Sequence, residues 1–387
     1  TTYGIILSNN TTIASGGSDN DNNTIQNNYI YKAYYGIDVL GLTGSTSDNL
    51  NITGNTIGAP VGTTTDYIYK YGIYATYVTG MTISQNTVQN IINASGTLYG
   101  MYLTTGVLNS TISRNNVTNL SYSGSGGYGA WGIYTNTGSA TSNLTFANNM
   151  ITEIKGDGYT SFSASSPVGM YFDGTTGGLN IYYNSVYMTG NLSYSSAALS
   201  AAFLLNTSTI TNVDLRNNVF MNAMTSTNGT ASCYAIYSSS PNTAFTNINN
   251  NVYYGSGAQG KLGYLGGQQT TLGAWQTATG QDGLSASGDP KFQSATNLHI
   301  IPTEISPVSD AGAYIASVLI DYDGTTRNTG TPPPNPDIGA DEYTYTPPSV
   351  EPVTDFTATA TSGTNINLTW VQNSATNPVM LVVNTTN

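Results

Sequence analysis

The sequence predicts an all-β chain: a parallel β-helix of about eight coils, capped C-terminally, followed by a partial second β unit. Three observations carry this prediction. A short phrase with a small residue inside it recurs eight times, and a second phrase anchored on asparagine recurs eight times about half a unit out of step. Around both, apolar and polar residues alternate with the period of a strand, not of a helix.

The first phrase reads Tyr3-Gly4-Ile5-Ile6, Tyr35-Gly36-Ile37-Asp38, Tyr71-Gly72-Ile73-Tyr74 and Tyr99-Gly100-Met101-Tyr102. It continues as Trp131-Gly132-Ile133-Tyr134, Val168-Gly169-Met170-Tyr171, Ser200-Ala201-Ala202-Phe203 and Tyr234-Ala235-Ile236-Tyr237. The small residues lie 32, 36, 28, 32, 37, 32 and 34 positions apart. That spacing belongs to solenoids, propellers and repeat arrays.

The second phrase, apolar-x-x-Asn-x-apolar, places asparagines at Asn28, Asn55, Asn86, Asn115, Asn149, Asn184, Asn218 and Asn251. Each unit then holds three short strands, one at the first phrase and one on either side of the asparagine. Asparagine tolerates left-handed backbone angles and bonds locally at a turn. An asparagine at the same corner of every coil also lets neighbouring amides bond along the stack. A propeller blade needs about four strands in ~40–50 residues and fits less well.

Composition agrees. Only 7% of the 387 residues are charged, against about 25% in ordinary globular chains, so the polar surface is mostly Asn, Thr and Ser. The repeated aliphatic and aromatic rows supply a core that a disordered chain lacks. The net charge of −12 disfavours nucleic acid and anionic membrane as partners. Residues 1–280 carry nine acids and six bases and residues 281–387 eleven acids and two bases, so the repeat body is nearly neutral. No apolar run of ~18 residues exists to span a membrane. The chain starts at Thr1 without a signal peptide, as a mature or trimmed product would. A single cysteine, Cys233, rules out a disulfide framework and reads as a small buried residue. The Asn-x-Ser/Thr triplets, among them Asn51, Asn93 and Asn228, are expected by chance in so Asn/Thr-rich a chain.

Residues 1–253 thus hold the repeats. Residues 254–345 supply the last coils and a cap, which a solenoid needs over its final hydrophobic layer. In this segment Asp321-Tyr322-Asp323-Gly324-x-x-Arg327 and Asp337-Ile338-Gly339-Ala340-Asp341-Glu342 stand out. Arg327 is expected to pair with one or more of Asp321, Asp323, Asp337 and Asp341 to lock the cap. Residues 346–352 form a stiff Pro-rich linker. Residues 353–387 read as three alternating strands, around Phe356, around Ile366-x-Leu368-x-Trp370 and at Met380-Leu381-Val382-Val383.

On these residues the chain resembles the right-handed parallel β-helix proteins, the pectin-lyase-like superfamily, over roughly residues 1–345. That fold hosts lyases, hydrolases, isomerases, adhesins and tail fibres, so the likeness implies architecture more than activity. The stretch from Asp289 to Tyr343 is similar to the end of many secreted β-helix proteins of Bacteroidetes-type bacteria. Residues 353–387 resemble the first strands of a fibronectin type III domain, with Trp370 as a core aromatic. Such a domain needs about seven strands, so a longer protein is implied. The layout resembles cargo of the type IX secretion route. It implies a secreted or outer-surface location in a Gram-negative bacterium and a secretion or anchoring machinery as partner.

Alternate strand residues face opposite sides, so Tyr74, Tyr102, Tyr134, Tyr171, Phe203 and Tyr237 are expected to point outward. One per coil and ~4.8 Å apart, they form a strip about 24 Å long. Aromatic faces suit sugar rings and phenol hydroxyls suit their edges, so the strip is a candidate for adhesion or glycan binding; it also serves simply to stack and stabilise the sheet. Lyases of the superfamily require a Lys or Arg base beside acidic Ca²⁺ ligands, and hydrolases require clustered carboxylates. Here Asp38 is the one acid in the outward row, and Asp173 lies four coils away, roughly 19 Å. A lone histidine, His299, leaves no His-based triad. The expectation is a non-catalytic module, with a polysaccharide lyase or glycoside hydrolase, or a purely structural filament element, as alternatives. No cofactor is expected. Asp321 and Asp323 mimic the opening of a calcium loop, but position 332, where the closing Glu belongs, is Pro.

Overall fold

The computed structural model describes residues 1–9, 12–63, 65–162, 166–227, 229–331, 333–347, 354–363 and 365–371. Asn228, positions 332 and 348–353, and the proposed strand at Met380–Val383 lie outside them. The chain divides into two compact units, residues 1–301 with 305–344, and residues 302–304 with 345–387.

The first unit is a parallel β-solenoid of about eight turns, each turn carrying three strands. The phrase sheet runs through Tyr3–Leu7, Ala33–Leu40, Ile68–Thr76, Leu98–Leu103 and Ala130–Thr135, then Val168–Phe172, Leu199–Leu205 and Ser232–Ser238. All pair in parallel with the next coil. The lead-in sheet, from Thr24–Gln26 to Phe245–Asn249, approaches the asparagine corner. The lead-out sheet, from Tyr29–Ile30 to Val252–Gly255, leaves it. Register puts like on like: Ile25, Ile52, Ile83, Ile112, Phe146 and Ile181 form one interior row. These side chains are buried, and each aliphatic one contributes about 1.5–3 kcal/mol by leaving water.

The phrase glycines are there for lack of space. A Cβ on Gly72 would lie 2.3 Å from Val88 Cγ1 and 2.4 Å from the Gly100 carbonyl. The phrase strand and the start of the lead-out strand therefore meet with no room for a side chain.

The eight anchor asparagines form one continuous ladder. Each side-chain amide donates to the carboxamide oxygen of the next coil, from Asn28 to Asn55 at 2.9 Å through to Asn218 to Asn251 at 3.0 Å. That oxygen also accepts the preceding asparagine's own N–H, as in Asn115 N–H to Asn149 Oδ1 at 3.1 Å. From the second rung on, the amide also donates to a lead-in carbonyl of the previous coil, as Asn149 does to Ile112 at 2.9 Å. The left-handed backbone expected at the asparagine falls one residue earlier, at Asn27, Gly54, Gln85, Arg114, Asn148, Tyr183, Asn217 and Asn250, with φ between 53° and 64°. That residue makes the turn and projects outward, which leaves the anchor free to aim its amide along the stack.

Pairing continues past Tyr253. Gly260–Leu265 adds a ninth phrase strand, with Tyr264 opposite Tyr237, and Ala286–Ser287 a ninth lead-out strand. The helix Leu272–Thr279, N-capped by Thr271 and closed by Gly280 at φ 69°, lays the fully buried Trp275 on this last layer. The ladder ends there too: Asn251 N–H donates to Ser285 Oγ at 2.7 Å. Ser285 bonds Asp282, whose Oδ2 accepts from Tyr253 at 2.7 Å and Trp275 at 2.6 Å.

Within the segment 254–345 expected to supply the last coils and cap, residues 260–287 cover the last layer, and residues 289–301 and 305–344 run back along the outside of the asparagine corner as a strap. The outward corner side chains hold it. Asn250 donates to Ala311 O, Tyr183 and Asn217 to Ala313 O, Asn148 to Ile320 O and Arg114 to Tyr322 O, at 2.6–2.9 Å. Ile300, Val308 and Ile338 pack on Val219 and Val252 of the lead-out face. Arg327, fully buried, pairs with Glu342 at 3.1 Å, not with the four expected aspartates. It also donates to Asn148 Oδ1 at 2.7 Å and Gly339 O at 2.8 Å and lies 3.9 Å over the Tyr183 ring. The aspartates serve the main chain: Asp321 accepts from Gly324, Thr325 and Glu342, Asp337 from Asp310 and Tyr343, and Asp341 from Ile300. Each of these oxygens satisfies an N–H that the strap's irregular backbone leaves unpaired.

The second unit shows an antiparallel pair, Thr354–Ala360 with Ile366–Val371. Trp370, expected in a core, is 41% exposed, because no opposing sheet stands over this pair among the described residues.

Two outcomes test this account. Asn149→Ala removes both donors and the acceptor of a fully buried rung and is expected to cost about 2–4 kcal/mol in urea unfolding, whereas Asn28→Ala, at the partly exposed first rung, costs roughly 1 kcal/mol or less. Arg327→Met strands the buried Glu342 carboxylate, a loss of about 3–5 kcal/mol. The loss is expected locally, as rapid proteolysis within 289–344 while the β signal in circular dichroism persists.

Candidate functional site

The outward side of the phrase sheet carries two aromatic columns where strict alternation predicts one. Strand pairing skips the glycine, Tyr35 with Tyr71 and then Ile37 with Ile73. The glycine faces inward against the lead-out strand, so residues three apart, such as Tyr35 and Asp38, share the outer side. One column is Tyr3, Tyr35, Tyr71, Tyr99 and Trp131. Its tyrosines stack nearly face to face, with centroids 5.2, 4.6 and 5.0 Å apart and interplanar angles of 15–19°. The other column is Ile6, Asp38, Tyr74, Tyr102, Tyr134 and Tyr171. Its rings alternate edge to face, at 5.2, 4.7 and 5.0 Å. The first column was legible in principle, because an aromatic precedes the glycine in five phrases.

Phe203 is not in the strip. Met170 pairs with Phe203 and Tyr171 with Leu204, so the seventh phrase sits one residue later than its alanines suggest. Phe203 is an interior residue packed on Phe172 and Phe220, and Leu204 takes the outward place. Beyond it, Tyr237 and Tyr264 stack at 4.3 Å with 4° between their planes.

Coils differ in how open the strip is. Tyr134 and Tyr171 are 6% and 0% exposed, beneath an insert that contributes Phe162, 4.8 Å from Tyr237. Trp131 anchors that insert by donating to Ser166 O at 2.9 Å. Over the first four coils, Tyr3, Tyr35, Tyr71, Tyr74, Tyr99 and Tyr102 stay half-buried. Stacking hides the ring faces of the first column from one another, so it offers ring edges and hydroxyls outward. Burial pushes the Tyr35 and Tyr74 phenols up to about 12 and raises Tyr71 and Tyr99 as well, so the row stays neutral and able to donate at ordinary pH.

Two carboxylates touch this face. Asp173 accepts from Tyr134 at 3.1 Å and Asn206 at 3.0 Å. Asp38, 2% exposed, has a buried Oδ1 without a hydrogen-bond partner. Burial lifts its carboxyl to about 7. The two stand four coils apart in the register. A further exposed group, Tyr159 stacked on Tyr194 at 5.6 Å, lies on inserts beside Gly127. Cavities lie elsewhere: one of about 330 Å³ beside Tyr254, Lys261 and Gln268, another of about 260 Å³ between Thr111, Arg114 and Leu319.

Asp321 and Asp323, the sequence candidates for calcium, turn to different tasks. Asp321 serves main-chain amides as above, and Asp323 accepts from His299 Nε2 at 2.8 Å. His299, Asp323 and Asp341 are the trio whose ligand atoms lie within 4.8 Å of one another. Cys233 is buried in its phrase strand, where burial raises its thiol pKa. No family model, curated protein or solved structure matches the chain.

The Asp38 carboxyl has a consequence for pH. Between about pH 4 and pH 7 the folded chain keeps a proton that the unfolded chain releases, so stability falls as pH rises across that window. Asp337, also lifted to about 7 by burial, acts in the same direction. Asp38→Asn is expected to flatten part of the fall in melting temperature and to equal or exceed the parent's stability above neutrality.

Proposed function

We propose that this chain is a non-catalytic recognition module, a rigid solenoid that binds an extended glycan along the open half of its aromatic strip. The observation that carries the reading is the double column over the first four coils, where six half-buried tyrosines present hydroxyls and edges at strand spacing, ~4.8 Å. A linear polyol meets such a row unit by unit, with its hydroxyls bonding the phenols. Recognition is favoured over turnover because the carboxylates on this face do not form a pair: Asp173 is engaged by Tyr134 and Asn206, and Asp38 stands four coils from it.

In this reading the solenoid is of the right-handed, pectin-lyase-like type and is displayed outside a Gram-negative cell, as an adhesin or surface element. The strap then corresponds to the closing segment of Bacteroidetes-type secreted proteins, the C-terminal pair to the start of a fibronectin type III spacer, and a type IX-like machinery to the export route. A structural-filament role is favoured by one observation, the sealing of Tyr134 and Tyr171 under Phe162, which uses rings purely as packing.

Titration calorimetry against linear neutral oligosaccharides tests the glycan reading. The double variant Tyr71→Phe/Tyr99→Phe keeps the stack and removes two hydroxyls, and is expected to weaken binding about tenfold or more. Binding that is undiminished in this variant, or absent from every glycan tried, removes the strip as a contact surface. Release of unsaturated or reducing ends from polysaccharide would replace recognition by lyase or hydrolase activity.

A further inference from the structure

We propose that Asp38, with the rings of Tyr3, Tyr35 and Tyr74, forms a subsite for an ammonium group, so that the preferred ligand of the strip is an oligomer containing amino sugars. The oligosaccharide part of this inference rests on the glycan reading above; the ammonium subsite does not.

The subsite is built by the strand register. Asp38 occupies the outward position between Ile6 and Tyr74, where the following coils place aromatic rings. Three positions earlier in its own strand, Tyr35 stacks between Tyr3 and Tyr71 and meets the Tyr74 ring edge-on at 5.9 Å. Asp38 is thus a buried residue, 2% exposed, in an aromatic surround, and its Oδ1 has no hydrogen-bond partner. Other buried carboxylates accept hydrogen bonds, Asp321 from three main-chain amides, Asp282 from Ser285, Tyr253 and Trp275, and Asp157 through one oxygen from Gly127 N–H. An unmade bond of this kind in a half-open strip is the place for a donor from outside.

The chemistry selects that donor. A hydroxyl supplies one hydrogen bond; an ammonium supplies up to three and a full positive charge to meet the carboxylate. Ion pairing with Asp38 favours its charged form and offsets the burial that now holds its proton. The surrounding groups Tyr3, Tyr35, Tyr71 and Tyr74 are neutral phenols, and Lys70 is placed over the Tyr71 ring at 5.4 Å. The chain's net charge of −12 also draws cationic ligands towards it.

The test uses two probes on the full chain near neutral pH. A glucosamine oligomer is expected to bind about tenfold tighter than the matching N-acetylglucosamine oligomer, and Asp38→Asn, which keeps the side-chain shape, is expected to abolish that preference. Methylammonium alone is expected to lower the Asp38 titration midpoint followed by carboxyl-carbon NMR, as ammonium pairing with the charged form requires. If methylammonium leaves the midpoint unmoved, or Asp38→Asn retains the preference, the subsite is overturned even where both oligomers bind. If neither oligomer binds while methylammonium still lowers the midpoint, the subsite stands and the glycan reading falls.

Discussion

The structure depends on one repeated contact, the bond from each corner amide to the carboxamide oxygen of the next coil. Asparagine alone fits. It offers a donor and an acceptor on the same short arm, so the bond propagates without end. An aspartate would break the chain of donors, and a glutamine would overreach the corner. Because the row is buried, a shift of register by one residue would leave amides unpaired in the core, which costs more than the hydrophobic rows could recover by sliding. The ladder thus fixes the register of rows that are themselves interchangeable aliphatics. It also explains the cluster at its end: the last asparagine needs a partner that no further coil supplies, and Ser285 and Asp282 provide one.

The same corner yields a second layer of structure. Placing the left-handed residue just before each anchor turns its side chain out of the solenoid, and the sequence varies there: Arg114, Asn148, Tyr183, Asn217, Asn250. These are the groups that hold the strap. The repeat is therefore uniform where coils meet each other and particular where they meet the returning chain. The end layer, meanwhile, is covered by a short helix and one tryptophan.

What the sequence made legible follows from range. Period-two alternation and the asparagine spacing are local, and they gave the solenoid, the three strands per coil and the ladder. The seventh phrase was misplaced because Ala201 and Ala202 serve equally as the small residue in a string, while register needs the one that fits beneath Phe203 and Leu204. The first aromatic column escaped because alternation assumes a flat strand, and the glycine bends it. The strap was illegible for a different reason. Arg114 and Tyr322 are 208 residues apart, their bond runs to a main-chain carbonyl, and no pattern of side chains announces it. Choosing Glu342 over four aspartates as the partner of Arg327 was likewise a matter of reach, since three of the aspartates are held by strap amides, some of them distant in sequence, and Asp323 by His299.

The aromatic strip shows how one strand serves two ends. Its inward residues and glycine are fixed by packing, for a single Cβ at Gly72 would strike two neighbouring coils. Its outward residues face no such limit, and a stack of tyrosines there is a choice that aliphatics could replace without loss of the core. Rings stacked on rings contribute about 0.5–1.5 kcal/mol per pair, which accounts for their presence in the sealed coils, where Phe162 completes the packing. Stability alone does not account for the open coils, where the rings remain half in water and a carboxyl sits among them without its hydrogen bond. A purely structural column would replace Asp38 by another ring or a leucine. An acid in this column, buried and with an oxygen left without a hydrogen bond, departs from the packing logic around it, and it is there that a ligand has something to supply.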